Sequence, residues 1–502
     1  MMNKLAISLC FLFVFSINIH SQILTDAVRY SLLDVGGTAR SVAIGGSIGA
    51  LGADFSVLST NPAGAAMFRR SEFTFTPALE FSSADAVLMA GENSTVNDTR
   101  TNFNFNNIGL VFAGRPLSSK WRTAVFGIGI NRLANFHQNI TYEGTSFGSI
   151  TDRWWELAEG RPPEQLDNFE AGLAWDVGAL YDYDANVVPN YLTDFLDGVS
   201  FLPGGVEVDK SQSINRRGSI NELVFTYAGN FEEKLMIGGT LGVPILNYEE
   251  TKVYRETDDS DRIAQFDELE YTERLTTKGA GINFKLGMIY RASQMVRLGA
   301  AIHTPTSYGL EDTFSTDLSY RFEDNDGAQR LESASPDGTF EYRMRTPWRF
   351  IASGGFIINR QGFISAEIEY VDYTNAKFNF NSTSDPGDMA REDALNDEIN
   401  AQLNAALNFR FGGEYAIERF RLRGGFALNS SPYENITERN GSLSLGTGYR
   451  GDNFFIDVAY KRLTSEAEYR PYLLSTGNVD IEQPVDIDEN RNRFLVTLGF
   501  KL

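Results

Sequence analysis

The sequence predicts an all-β fold: a transmembrane antiparallel β-barrel of about 14 strands, with an N-terminal hatch (plug) segment and long extracellular loops, one of them partly helical. Two observations predict the barrel. Segments with period-two hydrophobicity recur along the chain, and their connections alternate between turns of a few residues and long polar insertions. In bacterial outer-membrane barrels the periplasmic turns are short and the extracellular loops are long. The same alternation therefore predicts the bacterial cell outer membrane as the location.

The last segment is the clearest strand, because Phe494, Val496 and Leu498 fall on one face and alternate with Leu495 and Thr497. An aromatic residue this close to the C-terminus, Phe500, also resembles the signal that the barrel-assembly machinery recognises. By the same counting, strands are predicted near Phe73, Phe105, Val125, Val224, Ile237, Leu286, Leu298, Phe350, Ile368, Phe409, Leu422, Leu445, Ile456 and Val496.

The first residues predict a secretory signal peptide over 1–21. Lys4 precedes an apolar run that is too short to span a membrane as a helix, and the small residue Ser21 stands at the expected cleavage site. The only cysteine, Cys10, lies in this leader. Disulfides and thiolate metal sites are therefore not expected, and the sequence predicts no cofactor.

The chain is acidic, with 44 Lys and Arg against 66 Asp and Glu and a formal net charge of -22. Such a balance argues against a nucleic-acid partner. The acidic surplus clusters in the long insertions, for example at 256–261 and 323–326. A solvated surface explains these clusters, and bound calcium stays open although no run has EF-hand spacing.

Residues 22–70 precede the first predicted strand and are rich in glycine and alanine. A phosphate-binding loop is not predicted, because the Lys-Ser/Thr pair of that motif is missing and no strand precedes the glycines. Small residues allow tight packing, and larger barrels are commonly filled by a folded insert. We therefore predict a hatch over 22–70 and the barrel over 71–502.

The longest insertion, 140–219, is predicted to lie outside the membrane and to be partly helical. Its helical signal is the spacing of Leu166, Phe169, Leu173, Val177 and Leu180. Two interpretations stay open: a cap that packs on the barrel rim, or an apolar groove that captures a ligand. The candidate groove residues are Trp154, Trp155, Phe169, Leu173 and Trp175.

Residues 59–66 read STNPAGAA and directly follow LGADFSVL. This stretch resembles the FadL/TodX family of outer-membrane hydrophobe transport proteins, which carry long-chain fatty acids or aromatic hydrocarbons. The surrounding GGTARSVAIGGSIGALGADFSVLSTNPAGAA is similar to the hatch of that family, and GMIYRASQMVRLGAAIHTP resembles its later hairpins. The resemblance implies a fourteen-stranded barrel plugged by an N-terminal hatch.

The resemblance also implies a transport route. A hydrophobic small molecule is captured outside, moves into the barrel, and leaves sideways near a kink in the third strand when the hatch shifts. Matched to the family motif, the hatch and gate residues are Asn61, Pro62, Ala63 and Gly64. The candidate kink residues are Gly127, Gly129 and Asn131, because glycine weakens strand pairing. The implied surroundings are outer-membrane lipid and lipopolysaccharide.

The sequence also suggests two other functions, a surface enzyme and a porin. A barrel-borne surface enzyme would use His137 or His303, the latter close to Ser307, but no nucleophile motif accompanies them and we predict no enzyme. A plugged or general porin for polar solutes would be argued from charges expected in the lumen. These are Arg297, Glu367, Glu369, Arg410, Arg421, Arg423 and Asp457.

Overall fold

The computed structural model describes residues 23–502, except 35, 91–92, 117–119, 183–190, 198–199, 202–206, 325–326, 360, 381–385, 435–438 and 475–483. The predicted signal peptide, 1–21, lies outside the described residues. The first seven barrel strands are β1 (Glu72–Leu88), β2 (Val96–Gly114), β3 (Trp121–Asn135, continued by Gln138–Phe147), β4 (Glu207–Phe231), β5 (Leu235–Thr257), β6 (Phe266–Arg291) and β7 (Val296–His303, continued by Ser307–Asp324). The other seven are β8 (Gly338–Arg345, continued by Arg349–Ile358), β9 (Gly362–Asp372, continued by Lys377–Phe380), β10 (Ala405–Ile417), β11 (Phe420–Ser430), β12 (Arg439–Arg450), β13 (Phe454–Tyr469) and β14 (Val485–Lys501).

These strands form one closed antiparallel ring. Each strand pairs with its neighbour in the chain, and β14 pairs with β1 along its length, from Glu72 opposite Lys501 to Leu88 opposite Val485. Gly327–Ala334 adds a short strand beside the outer part of β7. The predicted barrel of fourteen strands is confirmed for the part of the chain that the structure describes.

The two faces of the wall differ as a period-two pattern requires. On β2, Phe105 is 51% exposed, whereas its neighbour Asn106 is 1% exposed and points inward. The same contrast holds on the other strands, where large apolar side chains are exposed and charged side chains such as Glu222 and Asp457 are buried. An apolar outer face around a polar interior is the arrangement of a transmembrane barrel.

Three neighbouring strands, β7, β8 and β9, are each interrupted once. β7 breaks at 304–306 and β8 at 346–348, where Pro305 and Pro347 cannot donate to the ladder. β9 breaks at the single 3-10 turn Tyr373–Asn375. The outer parts of these strands therefore form a separate patch of wall beyond the breaks.

Two helices precede the barrel, α1 (Ile23–Ser31) and α2 (Ala39–Ala43), together with the 3-10 helices Phe55–Leu58 and Pro62–Met67. α3 (Ile150–Ala158) and α4 (Ala171–Asp176) lie between β3 and β4 with the 3-10 turn Pro163–Gln165, and α5 (Pro386–Gln402) lies between β9 and β10. In the same connection as α3 and α4, Tyr181–Asp182 pairs with Tyr191–Leu192, and Leu196–Asp197 with Ser200–Phe201. None of the helices in the described ranges is long and apolar enough to cross a membrane.

The insertion predicted over 140–219 needs two corrections. Strand continues to Phe147 and resumes at Glu207, because these segments pair with each other and bury Ile140 against Ile214. The helix expected over 166–180 is only α4. It starts late because the Asp167 carboxylate accepts hydrogen bonds from the N–H groups of three following residues, and it ends before Gly178, whose φ is +76°.

Candidate substrate passage

The N-terminal segment, residues 23–70, lies inside the barrel and bonds to inward-facing side chains around the ring. Gly49 N–H donates to Glu367 Oε2 (2.9 Å), and the hydroxyls of Ser47 and Ser365 are 2.8 Å apart. Five strands further round the ring, on β14, Ala39 N–H donates to Thr497 Oγ1 (2.7 Å). The segment is therefore fixed to two separate parts of the wall.

Asp34 carries the strongest charge contacts of this segment. Its two carboxylate oxygens accept from Lys461 (2.5 Å) and Arg493 (2.6 Å), and Arg493 also pairs with Glu80 (2.5 Å). Glu80 in turn accepts from Asn135 Nδ2 (2.8 Å) at the end of the first part of β3. A continuous polar network thus links the N-terminal segment to β3.

The predicted gate residues form one compact turn. Asn61 caps the 3-10 helix Pro62–Met67 by accepting from Ala63 N–H (3.2 Å), and its Nδ2 donates to the carbonyls of Gly49 (2.7 Å) and Met288 (3.3 Å). Gly64 N–H donates to the Asn61 carbonyl (2.9 Å). All four gate residues are buried. The turn therefore binds both the rest of the segment and strand β6.

The wall comes unusually close to this turn. A Cβ atom at Gly287 of β6 would lie 2.0 Å from Asn61 Oδ1, and one at Gly238 of β5 would lie 2.5 Å from the Pro62 carbonyl oxygen. Contacts below 3.0 Å cannot be accommodated without moving the turn. Glycine at these two wall positions is therefore what permits the turn to dock.

The three candidate kink residues of β3 all face the N-terminal segment. A Cβ at Gly127 would meet Leu58 (2.7 Å) and one at Gly129 would meet Phe55 (2.5 Å), while Asn131 Nδ2 donates to Ser59 Oγ (2.8 Å). All three residues keep regular pairing with β2. The register of β3 with β4 shifts on either side of them, between Trp121 and Thr123 and between Arg132 and Ala134, and the strand stops at Asn135.

A gap separates β2 from the outer part of β3. β2 pairs with β3 only over Asn107–Gly114, and in the described residues its outer part, 96–106, has backbone pairing with β1 alone. The continuation of β3 turns inward instead, so that Ile140 and Tyr142 pack against the inner face of β1. Side chains bridge the gap, with Arg100 donating to Asn139 (2.9 Å) and Thr141 to Asp98 (2.7 Å).

The N-terminal segment lines this gap from inside. Asp34 N–H donates to the Leu133 carbonyl (2.9 Å), and Asn106 Nδ2 donates to the Gly37 carbonyl (2.6 Å). A cavity, partly open to solvent, lies between Leu33–Asp34, Ser59–Thr60 and Asn131–Leu133. The N-terminal segment and the first part of β3 thus both line this cavity.

The candidate groove residues divide into two groups. Trp154 and Leu173 are buried in the apolar interior of the cap formed by α3 and α4, so they do not form an open groove. Trp155 donates to the Tyr191 carbonyl (2.9 Å) and Trp175 packs edge-on against the Tyr191 ring (5.7 Å). These four side chains hold the cap together.

Phe169 is the candidate groove residue that reaches further inward. Its ring lies 4.9 Å from the Phe314 ring, and its carbonyl accepts from Thr316 Oγ1 (2.7 Å) and Tyr271 OH (3.0 Å). Phe314 and Thr316 line a cavity, partly open to solvent, that we call the aromatic cavity. The cap therefore packs directly on one wall of this cavity.

The aromatic cavity was not predicted from the sequence. Its apolar lining comes from Leu275 and from aromatic residues beyond the breaks of β7, β8 and β9, and α1 contributes Asp26. The aromatic residues are Phe314, Phe340, Tyr342, Phe378 and Phe380. Residues so far apart in the chain meet only because the wall curves, which no local pattern encodes.

Replacing Asp26 of α1 with asparagine tests the pKa of this buried carboxyl group. Burial raises the pKa of Asp26 to about 7; the paired Arg29 opposes this, and Asp312 and Glu250 add to it. A carboxyl with a raised folded-state pKa stabilises the fold below its unfolded pKa of 3.8, and this stability is lost as the pH rises through about 7. We expect Asp26→Asn to raise the melting temperature at about pH 8 and to raise it much less at about pH 4, close to the unfolded pKa.

Asp388→Asn is the matched control, because Asp388 also pairs with an arginine three residues along a helix, at 3.3 Å, and is more exposed. Its effect on melting temperature should not differ between the two pH values. If Asp26→Asn and Asp388→Asn show the same pH dependence, Asp26 does not titrate as proposed.

Each candidate catalytic histidine has a structural hydrogen bond. His137 Nδ1 lies 2.7 Å from Asn135 Oδ1, and His303 Nε2 lies 2.6 Å from the Thr60 carbonyl oxygen. In the described ranges, no group of three or more His, Cys, Asp or Glu side chains is placed to hold a metal ion.

The lumen charges on which the porin hypothesis rested are largely paired. Arg410 binds both Glu367 (2.7 Å) and Glu369, and Arg423 binds Asp457 (2.7 Å). Arg297 donates to the Leu51 carbonyl of the N-terminal segment (2.9 Å). These contacts hold the interior side chains to one another and to the N-terminal segment.

Comparison with known proteins places the fold. No family model matches the sequence, and no curated protein matches it. Among solved structures, the chain is similar to a FadL homologue from Pseudomonas aeruginosa, with 12% identity, a TM-score of 0.54, and coverage of 94% of this chain and 99% of the other. It is also similar to the toluene transporter TodX from Pseudomonas putida, with 12% identity, a TM-score of 0.51, and coverage of 93% and 99%.

A third similar structure is the toluene transporter TbuX from Ralstonia pickettii, with 14% identity, a TM-score of 0.50, and coverage of 94% of this chain and 100% of the other. The molecule is thus a fourteen-stranded transmembrane barrel with its N-terminal segment folded inside. Its fold is that of the FadL and TodX transport proteins, so the resemblance noted at STNPAGAA is confirmed at the level of the fold.

Proposed function

We propose that this protein transports hydrophobic compounds passively across the bacterial outer membrane, with the N-terminal segment acting as a hatch and the gap between β2 and β3 as a lateral exit. The observation that carries the proposal is the position of the N-terminal segment, which lies inside the barrel and bonds to β3 beside the gap. The similar solved structures named as toluene transporters support the substrate class. The resemblance extends this class to long-chain fatty acids.

A lateral route suits an apolar solute. Transfer of each CH₂ group from water to an apolar phase is favourable by about 0.8 kcal/mol, so a solute that leaves through the wall into lipid avoids a return to water. On the outer side the solute must first pass the polar lipopolysaccharide layer, and the cap with the aromatic cavity below it is placed to receive it. Insertion by the barrel-assembly machinery is expected for such a chain.

Uptake and conductance together test this proposal. Cells that carry the protein should take up radiolabelled toluene or oleate faster than cells that carry an unrelated barrel at the same surface abundance. In planar bilayers the intact protein should conduct ions negligibly, because the lumen is filled. Steady conductance of a large pore, or uptake equal to the control, would overturn the proposal.

Asn61→Ala should open the hatch. The change removes the cap of the 3-10 helix and the two bonds to the Gly49 and Met288 carbonyls, a local loss of about 1–2 kcal/mol. We expect measurable ion conductance and uptake altered several-fold. Pro62→Ala removes only a fixed backbone angle, so it should change conductance and uptake in the same direction as Asn61→Ala but by less.

Asn400→Ala is the control for these variants, because it removes one similar amide-to-carbonyl bond (2.8 Å) on the exposed face of α5. It should leave both conductance and uptake unchanged. Unchanged uptake and conductance in both Asn61→Ala and Pro62→Ala, at normal surface abundance, would remove these residues from the gate.

A further inference from the structure

The aromatic cavity holds an unusual charge arrangement. Its two lining cations already have carboxylate partners: Lys252 lies 3.9 Å from Glu250 and 3.7 Å from Glu273, and Arg274 is paired with Asp317. The cations just behind the lining are also engaged, Arg29 with Asp26 and Arg216 with Glu250 (2.6 Å). An anionic ligand would therefore find each of these four cations already paired with a carboxyl group.

Asp312 is different from the other carboxylates of the cavity. Its Oδ1 accepts from Thr277 Oγ1 (2.6 Å) and from Tyr342 OH (3.3 Å), both on buried residues. Among the residues that the structure describes, no cation lies within ion-pair distance of Asp312. The cavity thus contains a carboxylate whose hydrogen bonds come from two hydroxyl groups.

Aromatic rings line the cavity together with this carboxylate. Asp312 lies opposite Phe340 in the pairing of β7 with β8, and the Phe340 ring is 5.8 Å from Tyr342 and 5.0 Å from Phe380. The Tyr342 ring is in turn 5.6 Å from Phe378. Ring faces attract cations, most strongly where water is excluded.

One native cation already uses these rings. The Arg391 guanidinium of α5 lies 5.9 Å from the Phe340 centroid and 5.8 Å from the Phe380 centroid. Phe340 and Phe380 also line the cavity, so two rings of its lining already contact one positive charge.

We propose that the aromatic cavity selects hydrophobes with an ammonium head group over hydrophobes with a carboxylate. The apolar body packs against the aromatic lining, and the ammonium group donates to Asp312 and lies against the rings of Phe340 and Tyr342. This inference rests on the proposed function and narrows its substrate class, because a fatty-acid carboxylate would face Asp312, and the two described cations that line the cavity are already paired with carboxylates.

Matched eight-carbon probes test the head-group preference. Octylammonium, octanol and octanoate share one alkyl chain, and their binding to the detergent-purified intact protein can be compared by equilibrium dialysis at neutral pH. We expect octylammonium to bind tightest and octanoate weakest, with roughly a tenfold difference between these two, as for one hydrogen bond to a charged group. Binding of octanoate as tight as that of octylammonium would overturn the inference and leave the proposed function standing, whereas no binding of any probe would overturn both.

Asp312→Asn assigns the preference to its residue. The variant should bind octylammonium and octanol within about twofold of each other while octanol binding stays at the wild-type value, because the charge is lost and the apolar lining is kept. Glu311→Gln is the matched control, since it removes one charge from the adjacent, exposed residue of the same strand and should keep the wild-type preference. A preference that survives Asp312→Asn would overturn the assignment.

Phe340→Leu provides a second variant in case Asp312→Asn does not fold. It keeps the carboxylate and the apolar volume but removes one ring face, so it should weaken octylammonium binding more than octanol binding. Equal weakening of both probes would show that the rings contribute only apolar contact and would overturn the proposed cation site.

Discussion

Locking the N-terminal segment to the wall is expected to abolish transport reversibly. Ser47 of the segment and Ser365 of β9 are both buried, and their hydroxyl oxygens are 2.8 Å apart, so two cysteines at these positions point at each other closely enough for a disulfide. In a Cys10→Ser background, the pair Ser47→Cys and Ser365→Cys should oxidise and reduce uptake more than about tenfold, since the hatch could no longer leave β9. Reduction should restore uptake.

The barrel offers a matched disulfide that leaves the N-terminal segment free. Thr226 of β4 and Thr240 of β5 are also buried, and their hydroxyl oxygens are 2.6 Å apart, but both belong to the wall. The pair Thr226→Cys and Thr240→Cys should form and leave uptake unchanged. Full transport in the oxidised Ser47–Ser365 cross-link would show that the segment need not move away from β9.

Lys285→Met is expected to destabilise the protein more than any other single change proposed above. Lys285 of β6 is 3% exposed in its side chain and pairs with Glu222 of β4, which is fully buried. Removal of one partner of a buried pair leaves an uncompensated charge and costs about 3–5 kcal/mol. The free energy of unfolding in urea, measured in detergent, should fall by about that amount.

The loss of stability should extend to the N-terminal segment, because Glu222 also accepts a hydrogen bond from Ser59 Oγ (2.8 Å). The double variant Glu222→Gln and Lys285→Met removes both charges and should recover most of the stability. If the single and double variants unfold at the same urea concentration, the charge left behind is not the cause of the destabilisation.

Much of the wall could be predicted from the sequence, because exposure alternates with period two and each strand carries its own signal. Phe105 and Asn106 of β2 show why: one faces out and the other in, so hydrophobicity alone marks the strand. The continuation of β3 is not predicted as a strand, because it turns inward and buries Ile140 and Tyr142 against β1. A strand without a lipid-facing side does not carry the expected apolar face.

The same sequence patterns predict only part of the candidate site. Asn61 and Pro62 stand in a local motif, and the structure places them in the turn that joins the N-terminal segment to the wall. Gly127 and Gly129 were selected as points of weak pairing, whereas the structure shows them as positions where Leu58 and Phe55 come too close for any side chain. α3 had a readable signal that was missed, the capping box of Ser149 and Asp152.

The contacts of Asp34 and Ala39 bear on how the ring closes during folding. Ala39 bonds to Thr497 of β14, which shares a hydroxyl contact with Thr76 of β1 (2.7 Å), and Arg493 of β14 joins Asp34 to Glu80 of β1. The N-terminal segment therefore staples the seam between the first and last strands, whose meeting carries the largest chain-entropy cost of the whole barrel. A newly made chain that lacked this staple would be expected to close slowly and to expose two unpaired strand edges for longer.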